Sequence, residues 1–140
     1  MNRVVLLCFF VSTLAISLPI QKTTPAEPSS QQSKATIEGV VRDIACPIQN
    51  LEAKATDFNL QCALECARHG SPLIIQTADG DLYIPISDAM PDTDQHEKLM
   101  PFVGKYVRAS GTVFERKGTR AIVISEIQEM KDVHLKTDTK

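Results

Sequence analysis

Apolar and polar positions alternate with two different periods along this chain, and the changes of period mark out its elements. Ile37, Val40, Val41 and Ile44, around Gly39, form a first β-rich run that is expected to end at Ala45-Cys46-Pro47. Leu73 to Thr77 and Leu82 to Ile86 are two more strand-like runs, joined through Ala78-Asp79-Gly80-Asp81. Asp-Gly between such runs is a strong hairpin signal. A second hairpin spans Lys105 to Arg116 and Thr119 to Ile127 around Lys117-Gly118, with Val107, Ala109, Gly111 and Val113 alternating on one face. Between the hairpins, Asp94 to Met100 predicts a short helix capped by Asp92 or Thr93 and stopped by Pro101. Beyond Ile127 the chain turns polar and is expected to fray.

Two hairpins and a single strand, each with one face to bury, close most economically into a small barrel. The expected fold is therefore mainly β with helices: a small five-stranded OB-like barrel, with a cysteine-bearing helix between its first two strands. Gly111 inside a strand fits a bend or bulge at a barrel corner, because glycine otherwise weakens a strand.

The period changes to 3.6 between Asn59 and Gly70. Asn59 suits an N-cap and Gly70 a left-handed stop, which predicts a helix from Leu60 to His69. At about 100° per residue, Leu60, Ala63, Leu64 and Ala67 share one stripe, while Cys62, Cys66 and His69 share another. A cysteine serving only as a small hydrophobe belongs on the first stripe, so the second stripe points to chemistry. The polar segment from Gln49 to Thr56 is long enough to lay Cys46 over it.

The N-terminus belongs to a different category. Residues 1–20 combine Arg3, an apolar run from Val4 to Leu18 and Pro19, the pattern of a signal peptide. The run is shorter than the ~20 residues a spanning helix needs, so the membrane is expected as a partner only if this segment stays uncleaved. Residues 21–33 are rich in Gln, Thr, Ser and Pro and read as a flexible linker. Residues 34–130 are then the OB-like domain and residues 131–140 a polar tail. An exported chain, periplasmic or secreted, is the expectation.

Composition narrows the partners. With 43% hydrophobic and 23% charged residues and a net charge of −2, the chain is globular and carries no basic excess for nucleic acid. Aromatic residues make up 5%, without tryptophan, which leaves few platforms on which bases could stack. Six basic residues gather between Lys98 and Arg120, but the outer face of a solvated hairpin explains them. Asp79, Asp81, Asp88, Asp92, Asp94 and Glu97 lack the order of an EF-hand and read as turn and helix-start residues.

The run Val103-Gly104-Lys105-x-Val107 followed by Gly111-x-Val113 resembles the final hairpin of small exported bacterial OB-fold proteins. Asp43-x-x-Cys46, Cys62-Ala63-Leu64-Glu65-Cys66 and Gly70-Ser71-Pro72-Leu73 together resemble a cysteine-bearing subgroup of them. The resemblance implies fold and export and carries no activity with it. The Cys-x3-Cys spacing is also similar to that of exported copper chaperones of oxidase assembly. In the dinuclear copper loop of cytochrome oxidase subunit two a histidine follows the second cysteine at one residue more than His69 does here, and those ligands sit on a cupredoxin loop whereas this context reads as a helix, so that site is not carried over.

Three chemistries remain for the cysteines: a metal site, a disulfide and thiol redox activity, the last weakened because the sequence has no Cys-x-x-Cys. Cys62 and Cys66 lie one helical turn apart, and with Cys46 and His69 they would make a set of three thiolates and one imidazole, suited to Zn(II) or, through soft thiolates, Cu(I). In an oxidising compartment a disulfide from Cys46 to Cys62 or Cys66 is the alternative, and it leaves one odd thiol. No nucleophile elbow, phosphate loop, zinc-protease helix, Cys-x-x-Cys or haem-attachment motif is present in the sequence. The expectation is a non-enzyme that binds a transition metal at Cys46, Cys62, Cys66 and His69. The alternative is a disulfide-stapled module without metal for an envelope or extracellular protein partner.

Overall fold

The computed structural model describes residues 31–138, so the segment 1–20 expected to be a signal peptide and residues 21–30 of the expected linker lie outside the described residues. The described residues form seven strands: β1 (Gln31–Asp43), β2 (Asp57–Phe58), β3 (Leu73–Thr77), β4 (Leu82–Ile86), β5 (Tyr106–Arg116), β6 (Thr119–Glu129) and β7 (Lys136–Thr137). The helices are α1 (Ala45–Gln49), α2 (Leu60–Arg68) and α3 (His96–Leu99), the last running into a 3-10 turn at Met100–Phe102. Five strands close a barrel in the order β1-β3-β4-β6-β5, with β5 returning to β1. Every barrel pairing is antiparallel except β4 with β6. This is the expected OB-like mixed barrel, and the cysteine-bearing segment lies between its first two strands.

Strand β1 is the longest element and serves two neighbours. Gln31 to Val40 pair with β5, whereas Gly39 to Asp43 pair with β3. Gly39 stands where the two pairings overlap, and a Cβ there would collide with the carbonyl of Gln76. Two neighbours at close quarters therefore require a glycine at that bend. The strand begins at Gln31, ahead of the start expected at Lys34, because Gln31, Gln32 and Ser33 extend the β5 ladder as far as Glu115. Backbone pairing needs no apolar side chains, so a polar, exposed stretch can still be strand.

The second half of β1 is buried on both faces, and this decides where the cysteines go. Ile37 and Val41 face the barrel core with Leu73, Ile75, Val107, Ile122 and Ile124. Val40 instead joins a second cluster with Ala55, Phe58, Ala63 and Tyr106. That outer cluster is the floor on which the α1–α2 segment rests. The polar tail closes it: β7 pairs in parallel with β2, and Met130, Val133 and Leu135 pack on the cluster. Fraying after Ile127 is thus corrected, because three apolar side chains spaced along a polar stretch find a surface to cover.

The hairpins follow the expected chemistry. In the β3–β4 turn Gly80 has φ +89° and its N–H donates to the Thr77 carbonyl. Lys117 and Gly118 both have positive φ, 50° and 82°, the left-handed pair of a two-residue hairpin turn. In β5–β6 the register shifts at Ser110/Gly111, where Ser125 becomes the extra residue. A Cβ on Gly111 would run into the Val123 carbonyl, so this glycine does mark the barrel bend.

The short helix is smaller than expected. It starts at His96, and its first turn is met by the Asp94 carboxylate, which accepts the His96 N–H at 3.0 Å. Asp92 is not its cap. Its Oδ1 accepts from the N–H and hydroxyl of Ser87, at 2.8 and 2.7 Å, closing the loop after β4.

Candidate metal centre

Each cysteine is placed by a local bond that its neighbours supply. Cys46 does not sit in a loose loop after the strand, because the chain turns into α1 immediately after Ile44. Asp43 Oδ1 accepts the Cys46 N–H at 2.9 Å, and Pro47 follows in the first turn, where no N–H is needed. In α2, Asn59 acts as the N-cap through Oδ1, which accepts the Cys62 N–H at 2.8 Å. At the other end Gly70, with φ +84°, completes a Schellman motif: its N–H donates to the Ala67 carbonyl and the Ser71 N–H to that of Cys66. The backbone of all three cysteines is thus engaged at helix ends.

The stripe assignment on α2 holds. Ala63 and Ala67 are buried, whereas Cys62 and Cys66 are half-buried beside the exposed Gln61 and Glu65. The sulfurs of Cys46, Cys62 and Cys66 lie within 4.8 Å of one another, and those of Cys46 and Cys62 are 3.7 Å apart. All three are free thiols. An ion bound ~2.3 Å from each sulfur would set the sulfurs about 3.8–4.0 Å apart, so closing around a metal requires only small rotations of the side chains.

His69 is not brought into this group. It is exposed at the C-cap of α2. Cys46 packs against Cys62 at the start of the helix, and His69 lies seven positions beyond Cys62, about 10 Å along the axis. Shared angular position on a helix was sound, but the axial distance was the stronger constraint. The assembled donor set is three thiols, without the imidazole expected beside them.

Electrostatics favour the protonated thiol before a metal arrives. Burial pushes the Cys46 thiol above its ordinary value, the sulfur hydrogen bond with Cys62 and the Asp43 carboxylate push it further, and the Arg42 guanidinium opposes them. A metal must therefore displace a proton from Cys46.

Two charged neighbours carry the surroundings of the site. Arg42 and Asp43 are consecutive on β1 and so point to opposite faces. Asp43 is fully buried, and its Oδ2 has no partner. Arg42 is 2% exposed, stacks 4.8 Å over the Phe58 ring and donates from Nη1 to Gln76 Oε1 at 3.3 Å. Arg42 was not singled out from the sequence, although a charge directly after Val40-Val41 in a strand was a readable signal. Both Cys46 and Cys62 open with Arg42 onto a cleft of about 660 Å³.

The other charged stretches are accounted for elsewhere. Lys105 pairs with Glu129, Arg108 with Glu38, and Arg120 with Asp81 and Glu115. Among the described residues, none of the six acidic residues from Asp79 to Glu97 enters a ligand group. None of the family models, curated proteins or solved structures compared with this chain matches it. The resemblance to exported OB-fold proteins thus gains no relative, and the site is judged on its own geometry.

Proposed function

We propose that this is a small exported barrel protein that binds a transition metal through the thiolates of Cys46, Cys62 and Cys66. The single observation that supports it is the convergence of three sulfurs within 4.8 Å, from two helices whose ends are individually bonded. Three soft donors without a fourth suit Cu(I) best. Zn(II) in a closed structural site takes four ligands and would need water or another molecule to complete its shell. The role is one of binding and not of turnover. X-ray absorption at the metal edge of anaerobically loaded protein tests it. Three sulfur neighbours and no nitrogen are expected for Cu(I), and a shell of nitrogen or oxygen would overturn it.

A second reading is favoured by one distance. Cys46 and Cys62, at 3.7 Å, are the pair placed to bond on oxidation, which would staple α1 to α2 and leave Cys66 as the odd thiol. In that reading the barrel serves an envelope or extracellular protein partner and holds no metal. Peptide mass mapping of natively isolated protein separates the two: a Cys46–Cys62 bridge in all molecules supports the staple.

A further inference from the structure

The cleft beside the thiols is lined by a buried cation, Arg42, that forms no ion pair with a carboxylate among the described residues. Among the described residues no carboxylate pairs with Arg42: its one hydrogen bond goes to a neutral amide, and its Nε has no partner. A guanidinium that is 2% exposed and unmatched by an anion is a costly arrangement, because the desolvation of the charge is not offset. The ring of Phe58 and the Gln76 amide hold the group in place and do not neutralise it.

The lining is also rich in donors. Asn50 and Asn59 have their amide oxygens occupied by the N–H groups of Glu52 and Cys62, which leaves each an NH2 group to offer. Gln49 and Lys54 contribute further donors, and Phe58 and Ala53 an apolar wall. Glu52 and Asp57 are the acidic members, and both are exposed. At about 660 Å³ the cleft is in the range of small-molecule sites.

We propose that this cleft binds a small organic carboxylate, held by the Arg42 guanidinium, directly beside the thiol cluster. The planar guanidinium fork matches a carboxylate in two-point contact once the 3.3 Å bond to Gln76 yields Nη1, and the apolar wall takes the carbon skeleton. The site goes beyond the metal reading and does not depend on it. A negatively charged metal–thiolate cluster would compete for the same cation, so anion and metal should weaken each other reciprocally.

The test is a titration of the reduced, metal-free full-length chain at pH 6 with succinate, inorganic phosphate and the neutral succinamide. It is read by the side-chain Nε–H resonance of Arg42. Succinate is expected to shift that resonance saturably, succinamide to leave it unmoved, and phosphate to bind more weakly. Arg42→Lys, which lacks that resonance and is compared with wild type by titration calorimetry, should lower succinate affinity by about tenfold, since a point charge replaces the fork. Lys54→Gln, at an exposed position that does not threaten the fold, should lower it about twofold to threefold. No saturable shift, an equal response to succinamide, or unchanged affinity in a folded Arg42→Lys protein would overturn the proposal. Tighter phosphate binding would overturn the carboxylate class. Because no metal is present, these outcomes leave the metal proposal to its own measurements.

Discussion

Asp43 holds Cys46 by its backbone: the buried carboxylate at the end of β1 accepts the Cys46 N–H at 2.9 Å and so starts α1 where the strand stops. That bond fixes the side chain of Cys46 against Cys62, across 16 residues of sequence. Asp43→Ala should therefore lower Cu(I) affinity by about tenfold or more, while Asp43→Asn, which keeps an acceptor, should stay within a few-fold of wild type. The stability loss for Asp43→Ala should be about 1–2 kcal/mol. Competition with a chromophoric chelator and urea denaturation measure the two effects. Equal affinity in the alanine variant would show that Cys46 is placed by something else.

The barrel bend gives a test of the architecture. A side chain on Gly111 meets the Val123 carbonyl, backbone that cannot step aside, whereas Gly118 faces open space and is constrained only by its φ of +82°. Gly111→Val should cost about 3 kcal/mol or more. Gly118→Val should cost about 1–2 kcal/mol, the strain of a left-handed β-branched residue. Urea midpoints of the two variants decide the order, and a wild-type midpoint for Gly111→Val would contradict the bulge.

Much of this fold was legible in the sequence because its signals are local. Asp79-Gly80 and Lys117-Gly118 dictate turns, and the ends of α2 follow from Asn59 and Gly70, each acting on backbone within a few residues. The pairing of β7 with β2 was not legible, because it joins Lys136 to Asp57 through backbone bonds that leave no pattern in either segment. For the site, the cysteine stripe on α2 was readable from 3.6-residue periodicity. The exclusion of His69 was not, since it depends on which turn of α2 Cys46 reaches. Arg42 escaped notice for a similar reason: its burial comes from Phe58 and α2 covering the outside of β1, a tertiary event.

An alkaline limit to stability follows from two raised groups. Burial and the Cys62 and Asp43 neighbours lift the Cys46 thiol above 9.0, and burial with Glu38 and Asp79 lifts the Tyr106 hydroxyl above 10.0. Both groups hold their protons more tightly folded than unfolded. Their contribution is whole below pH 9 and is lost as pH rises through the folded values. The reduced, metal-free protein should thus keep a constant urea midpoint from pH 7 to about 8.5 and lose stability steadily above pH 9. A midpoint that rises in that window would mean the thiol is stabilised as thiolate.

The most direct measurement is an anaerobic Cu(I) titration of the reduced full-length chain against a competing chelator, with the melting temperature followed in parallel. One equivalent should bind, with proton release and a raised melting temperature. Cys46→Ser, Cys62→Ser and Cys66→Ser should each weaken binding by at least about 100-fold, and His69→Ala should stay within about twofold of wild type. Failure of the reduced protein to retain copper, or wild-type affinity in any one of the three cysteine variants, would contradict a three-thiolate metal site.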